Sequence, residues 1–515
     1  MLSRLKQIYT KANDLTAAAF AGVAKRFPHA AKFLGIVRSR RRPLLILFFL
    51  LMHIIGFFMS VQAVMQTRTE QGAVAWAISL NTIPVVAVPG WIVFGDSRIN
   101  TYTTVRRAGL EKVRPLAQSL IKNIEAAEAS RPSAGPTMKA LERFASMPTL
   151  HGNAAELLID GKETFDSIFQ AIDEAEKYIL VQFYILRSDR TGTELKNRLA
   201  AKAAQGVRIY VLLDDMGCLD LGNRYVKELR AAGIDARFFM DFSGQANRFQ
   251  LNFRNHRKLV VIDGKKVFIG GHNVGDEYLG KDPVMTPWRD THVVMTGPVA
   301  RAAQISFVED WHWATETLLE DLEWQITRED FTGNMEAIVL PSGPADAVET
   351  CSMFFLSAIN NATKRVWIAT PYFVPDDKIV TALQMAALRG VEVKILIPET
   401  TDSRLVQLSS WSYLEPLEAT GVEIYRYTRG FMHQKVVLVD DDLAAIGSAN
   451  FDNRSFRLNF ELTAIIRDVN FAGKVAAMLE NDLSHSRKAL AKELKERSFV
   501  FKLAVRLARL LAPVQ

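Results

Sequence analysis

The chain has 515 residues, 49% hydrophobic and 23% charged, with a formal net charge of +7. That is the composition of a globular protein with room for membrane segments and for two catalytic domains. The basic balance favours anionic partners, nucleic acid and anionic lipid alike, while two distant cysteines, Cys218 and Cys351, argue against a disulfide framework or zinc site and suit a reducing compartment.

Residues 1–43 form a basic segment with ten Lys and Arg, ending in Arg38, Arg40, Arg41 and Arg42. Two apolar runs follow within residues 44–96. Leu44 to Met65 has no formal charge over 22 residues, and Ala73 to Gly95 spans 23. Each is long enough to cross about 30 Å of hydrocarbon as a helix. Pro84 and Pro89 predict a kink in the second, where Asn81 and Thr82 can bond freed backbone groups. A pair of buried core helices is the alternative. The short connection carries only Arg68, whereas Arg98, Arg106 and Arg107 follow the second run. The positive-inside rule then makes a transmembrane hairpin with both ends cytoplasmic. His53 is the one ionisable residue within a span and reads as a neutral helix contact.

Beyond a polar, alanine-rich linker over 97–150, the pattern turns α/β and repeats. A helix end and apolar strand at 171–186 recur at 358–374. The strand at 206–215 recurs at 390–399, and that at 231–239 at 419–427. Strands alternating with helical patterns predict mixed or parallel sheet flanked by helices. Two tandem domains result, 151–340 and 341–485, with Pro341–Asp346 as the joint.

Each half carries one short motif. The first is Asn255-His256-Arg257-Lys258, then four apolar residues, Asp263, Gly270, Gly271 and Asn273. The second is His433-Gln434-Lys435, four apolar residues, Asp440, Gly447, Ser448 and Asn450. Relative to His, both place Lys at +2, Asp at +7, Gly at +14 and Asn at +17, at a displacement of 177 residues (256 to 433). His and Lys two apart on a strand share a face. Turn chemistry follows Asp263 and Asp440, and the returning strand brings Asn beside His and Lys. Imidazole, ammonium and amide converging on one point suit a phosphodiester. Asp263 and Asp440 belong to the catalytic signature but sit at turns and read as mainly structural. His272, His292 and His312 lack the repeat's symmetry and read as packing or hydrogen-bonding residues. No cluster offers a metal its ligands, and no cofactor is expected.

The paired H-x-K-x4-D pattern resembles the phospholipase D superfamily. More narrowly, residues 253–280, 288–292, 370–376 and 430–462 are similar to bacterial cardiolipin synthases of that superfamily, and 152–165 and the double span also fit. That resemblance implies two tandem phospholipase D-like domains related by a pseudo-twofold around one site. It also implies a double displacement through a phosphatidyl-histidine, with His256 as nucleophile and His433 as acid and base. The near-symmetry of the motifs leaves the reverse open. Lys258, Lys435, Asn273 and Asn450 should grip the nonbridging oxygens, and Ser448 can add a hydroxyl where the first copy has Gly271. The resemblance makes Glu461 an orienting carboxylate for a catalytic histidine and Asp290 its counterpart.

Membrane placement separates lipid from nucleic-acid chemistry. Within the tail 486–515, Lys495, Lys502, Arg506 and Arg509 recur at helical spacing beside a stripe of Phe499, Leu503, Leu507 and Leu510. That suits a basic amphipathic helix on an anionic membrane, a helix docked on the protein being the alternative. The expected activity joins two phosphatidylglycerols into cardiolipin and glycerol at a bacterial inner membrane, with catalytic domains on the cytoplasmic side and no nucleic-acid partner. A phospholipase D-type hydrolase, a transferase with another donor or alcohol, and a catalytically idle membrane scaffold are the alternatives; intact motifs in both halves oppose the last.

Overall fold

Proline placement shapes the first structural unit, which runs to Thr101. The computed structural model describes residues 41–67, 70–130, 135–240, 253–281 and 285–515, so nearly all of the basic segment 1–43 lies outside the described residues. Helix α1 (Arg41–Gln66) is the one described helix long and apolar enough to cross a membrane, by length and composition. Many of its apolar side chains, among them Leu47, Phe58 and Met65, are exposed, while Ala63 is buried and Met52, Ile55 and Met59 pack beside it.

The second apolar run divides instead of forming one kinked helix. It makes α2 (Glu70–Thr82) and α3 (Pro84–Phe94), because Pro84 lacks an N–H and bars its predecessor from helical geometry. Ile83 accordingly sits at φ −132° and ψ 54°. Asn81 and Thr82 donate to the carbonyls of Ala77 and Ile78, both at 2.8 Å. Helix α1 packs against this pair. A Cβ on Gly56 would lie 2.1 Å from the Leu80 carbonyl oxygen, so only glycine permits the crossing. His53 bonds within its own helix, to the Phe49 carbonyl at 2.8 Å.

The second unit runs from Tyr102 to Gln515. The stretch read as a linker is helical over Asp96–Ala126 and Pro136–Ala145. Val113, Leu120 and Ile124 give the longer helix a buried face, an i, i+7, i+11 pattern thin enough to pass as polar sequence.

Among the described residues, fifteen strands form the main path of one mixed sheet. They are β1 (Leu150–Ile159), β2 (Tyr178–Phe183), β3 (Arg208–Leu213), β4 (Asp235–Phe238), β5 (Leu259–Ile262), β6 (Lys266–Gly270), β7 (Thr291–Thr296), β8 (Met335–Ser342), β9 (Arg365–Ala369), β10 (Glu392–Pro398), β11 (Glu423–Tyr427), β12 (Val436–Val439), β13 (Leu443–Gly447), β14 (Asn459–Arg467) and β15 (Ser486–Ala489). Outward from the β1–β8 contact, one wing runs β1-β7-β6-β5-β2-β3-β4 and the other β8-β14-β13-β12-β9-β10-β11, with β15 on the second edge. The same strand order therefore occurs twice. In each wing the three outer repeat strands are parallel, joined by helices, and the inner ones antiparallel. Each wing has its own apolar core, in which Cys218 and Cys351 are buried and unbridged. The Pro341–Asp346 joint begins inside β8 and so inside the shared sheet.

After β15 come short helix Ala491–Lys495 and helix Phe499–Leu510. One face of the latter docks: Val505 is buried and Phe501 meets Trp411 edge-on at 5.6 Å. The opposite face leaves Phe499 76% and Leu510 75% exposed, with Leu503 and Leu507 beside them.

Candidate active site

Each motif folds as a β-hairpin, β5–β6 in the first half and β12–β13 in the second. At the turns Asp263 and Asp440 take φ of 52° and 51°, a left-handed geometry that Asp tolerates better than most residues. The carboxylate of Asp263 accepts backbone N–H bonds from Glu176, Lys177 and Tyr178 at 2.7–2.8 Å. Asp440 does the same for Thr363, Lys364 and Arg365 at 2.7–3.1 Å. Seven residues of largely extended chain, about 20 Å, separate each Asp from its histidine. These two signature carboxylates pin the start of β2 and β9 rather than joining the histidines.

The histidines are positioned by the opposite half. Arg254–Asn255 pairs in parallel with Asn459–Phe460, and the His256 N–H then donates to the Phe460 carbonyl at 2.9 Å. The next residue, Glu461, meets His256 Nδ1 at 2.9 Å. Reciprocally, Phe431–Met432 pairs with Trp288–Arg289, the His433 N–H donates to the Arg289 carbonyl at 2.7 Å, and Asp290 meets His433 Nδ1 at 2.8 Å. Both expected carboxylates thus take the carboxylate–histidine geometry, each on the histidine of the other half. With Nδ1 engaged, Nε2 is the nitrogen turned to a ligand, that of His433 lying beside Lys435.

The asymmetry at Gly271 and Ser448 has a steric reason. A Cβ on Gly271 would lie 2.0 Å from Asp290 Oδ1. In the other half the Ser448 hydroxyl donates to Glu461 Oε2 at 2.6 Å and accepts from the Leu462 N–H at 2.9 Å. Ser448 is fully buried, and its hydroxyl is engaged with Glu461. Lys258 and Lys435 are also buried. Lys258 Nζ donates to the His256 carbonyl at 2.6 Å, while Lys435 Nζ bonds the His433 carbonyl and lies 3.0 Å from His433 Nε2. Asn273 Oδ1 accepts from the Ile185 N–H at 3.1 Å. Asn450 Oδ1 is buried with no partner among the described residues.

His256, His433, Asn273 and Asn450 line one cavity of about 630 Å³, within the usual range of ligand sites. Burial sets its electrostatics. It pulls His256 down to about 4 against the opposing charge of Glu461, and lowers His433 as well. Lys258 and Lys435 fall to about 7 and about 8 for the same reason. Burial alone would raise Asp290, but His272 and His433 outweigh it and hold the carboxyl well below its ordinary range. The arrangement offers a neutral imidazole, a second imidazole on a stable anion and two buried lysine amines, groups that a phosphoryl transfer can use.

His272 and His292 lie together, Nδ1 to Nδ1 at 3.4 Å, in packing and hydrogen-bonding positions. Among the described residues no group of three or more His, Cys, Asp or Glu is placed to hold a metal. Sequence reasoning missed Ser455 and Asn459, which donate to Glu461 Oε1 at 2.9 and 3.1 Å. It also missed Asp310 and Asp482. Asp310 binds Asn255 and Arg257, and Asp482 binds Gln434 and Arg289, so each helix following β7 or β14 buttresses the residues around a histidine. Both aspartates fall in apolar helix faces, where a buried charge is the available signal.

A family profile described as cardiolipin synthase, PLD-like domain, matches residues 168–284 and 355–483. Over 468 residues, 90% of this chain and 97% of the relative, the sequence is 45% identical to cardiolipin synthase A of Pseudomonas putida strain W619. It is 46% identical over 465 residues to cardiolipin synthase A of Pseudomonas aeruginosa strain LESB58, covering 90% and 94%. The crystal structure of phosphatidylserine synthase from Haemophilus influenzae Rd KW20 superposes with a TM-score of 0.58 at 16% identity, over 74% of this chain and all of that one, a likeness of fold.

Proposed function

The chain belongs to the cardiolipin synthase family of phospholipase D-like enzymes, and from that premise we propose that it makes cardiolipin and glycerol from two phosphatidylglycerols through a phosphatidyl-histidine. The observation carrying this reading is the reciprocal anchoring of His256 on Glu461 and His433 on Asp290 around one cavity.

His256 Nε2 attacks phosphorus of the first lipid. The bond to glycerol breaks, and the departing oxygen takes a proton from His433. His433 then accepts the proton of a headgroup hydroxyl on the second lipid, whose oxygen attacks phosphorus and releases His256. One imidazole alternates as acid and base. Neutrality suits His256 to attack, and anionic Asp290 suits His433 to carry the proton between steps. Lys258, Lys435, Asn273 and Asn450 stabilise the nonbridging oxygens. Asp263 and Asp440 hold the hairpins that present them. Two phospholipase D-like domains, 151–340 and 341–485, related by a pseudo-twofold, share this chemistry.

Residues 44–96 form a transmembrane hairpin in this reading, making a multi-pass bacterial inner-membrane protein with the catalytic domains on the cytoplasmic side. The exposed length of α1 supports it. The apolar outer face of Phe499–Leu510, interleaved with Lys502, Arg506 and Arg509, supports contact with anionic lipid.

Purified protein in phosphatidylglycerol bilayers should release cardiolipin and glycerol in equal amounts, and His256→Ala and His433→Ala should each abolish it. Phosphatidic acid as the sole lipid product would instead establish a hydrolase.

A further inference from the structure

Joining two phosphatidylglycerols requires two phosphates in the site, one reacting and one carried by the acceptor. The repeated residues supply one phosphate position. The basic part of the cavity lining is not repeated. Arg254 and Arg454 both line it, whereas the residues at the matching displacement of 177 are Phe431 and Glu277. Neither arginine therefore has a basic counterpart in the other half.

Arg254 stands two residues before His256 on the extended bridge to Asn459–Phe460. Two residues along a strand share a face and lie about 7 Å apart, the spacing that a three-carbon glycerol bridge sets between two phosphates. Arg454 projects from the short helix Asn453–Arg457, fixed at its N-terminus by the Asp452 carboxylate, which accepts from the Ser455 N–H at 2.7 Å. The cavity holds other charges and contacts: Arg254 donates to the Phe253 carbonyl at 3.0 Å, the Asp452 charge acts on Arg454, Arg187 pairs with Asp220 at 2.8 Å, and Asp402 takes the Tyr372 hydroxyl at 2.7 Å. Burial first, and the neighbouring Arg254 charge second, lower Arg454 below its ordinary value. An anion between the two guanidiniums relieves that repulsion, and guanidinium is suited to phosphate by its paired donors.

We propose that Arg254 and Arg454 bind the phosphate of the acceptor phospholipid, so that its glycerol headgroup, rather than water, meets the phosphatidyl-histidine. This rests on the double-displacement reading above and adds a second anion subsite to it.

Full-length protein in phosphatidylglycerol vesicles, in phosphate-free buffer, gives two readouts: cardiolipin formed, and labelled glycerol exchanged into phosphatidylglycerol. Exchange uses the reacting phosphate and a neutral acceptor alone. Arg254→Gln and Arg454→Gln should each lower cardiolipin formation by about tenfold or more while leaving exchange within about twofold, and the Lys variants should recover part of the loss. Parallel loss of both activities would overturn the subsite, whether or not Lys restores them. Unchanged cardiolipin formation would also overturn it, since a pair that takes only free phosphate leaves lipid transfer intact. Wild-type protein that neither forms cardiolipin nor exchanges glycerol would sink the double-displacement reading itself.

Discussion

Glu461 accepts from Ser448, Ser455 and Asn459 as well as meeting His256, and that contact with a histidine sets it apart from the motif aspartates. Glu461→Gln keeps the shape and removes the charge that selects the histidine tautomer; it should lower cardiolipin formation by about 10²-fold or more with little change in melting temperature. Asp263→Ala should do the converse. It leaves three backbone N–H groups at the start of β2 without their acceptor and should destabilise the fold by roughly 3 kcal/mol or more, read as a lower melting temperature with catalysis kept at low temperature. The buried histidines add a pH dependence. His256 and His272 are each pulled down to about 4 by burial, so the unfolded chain takes up protons first as pH falls below about 6.5. Stability is present above that pH and is lost progressively toward pH 4, on the order of 3 kcal/mol per histidine at the limit. Thermal unfolding in detergent between pH 7 and 4.5 should show the loss, and His272→Asn should flatten it. A pH-independent melting temperature in the wild type would contradict this account. The motif residues were legible in the sequence because their spacing repeats. Ser448 was legible as a difference between the motifs, but its contact with Glu461 was not, since that depends on where β14 lies beside β13.

At the scale of elements, alternation and turn residues located the strands flanking both motifs, and proline located the break in the second apolar run. Break and kink were not distinguishable, because Pro84 leaves the geometry of Ile83 to its surroundings. The helix Asp96–Ala126 was missed because its apolar face is sparse. The tail was read as either interfacial or docked; its helix docks one face, with Val505 packed inward, and leaves Leu503 and Leu507 exposed on the other. Leu503→Glu with Leu507→Glu should therefore leave the melting temperature unchanged, reduce activity in phosphatidylglycerol bilayers by about tenfold, and spare activity in detergent micelles. Equal activity in both media would remove the lipid role of that face.

For the whole molecule, the repeated strand order makes one sheet in which neither half completes a histidine alone. Each backbone bridge and each orienting carboxylate comes from the other half. The repeat was visible in sequence, but the exchange of partners was not, because Glu461 lies 205 residues from His256 and no local pattern encodes that pairing. The proposed covalent chemistry has His256 attacking. Base quenching of wild-type enzyme during turnover preserves a phosphorus–nitrogen bond for peptide mass spectrometry. The account predicts a phosphatidyl group on His256, whereas a modification on His433 alone, or cardiolipin formation with neither histidine modified, would contradict it.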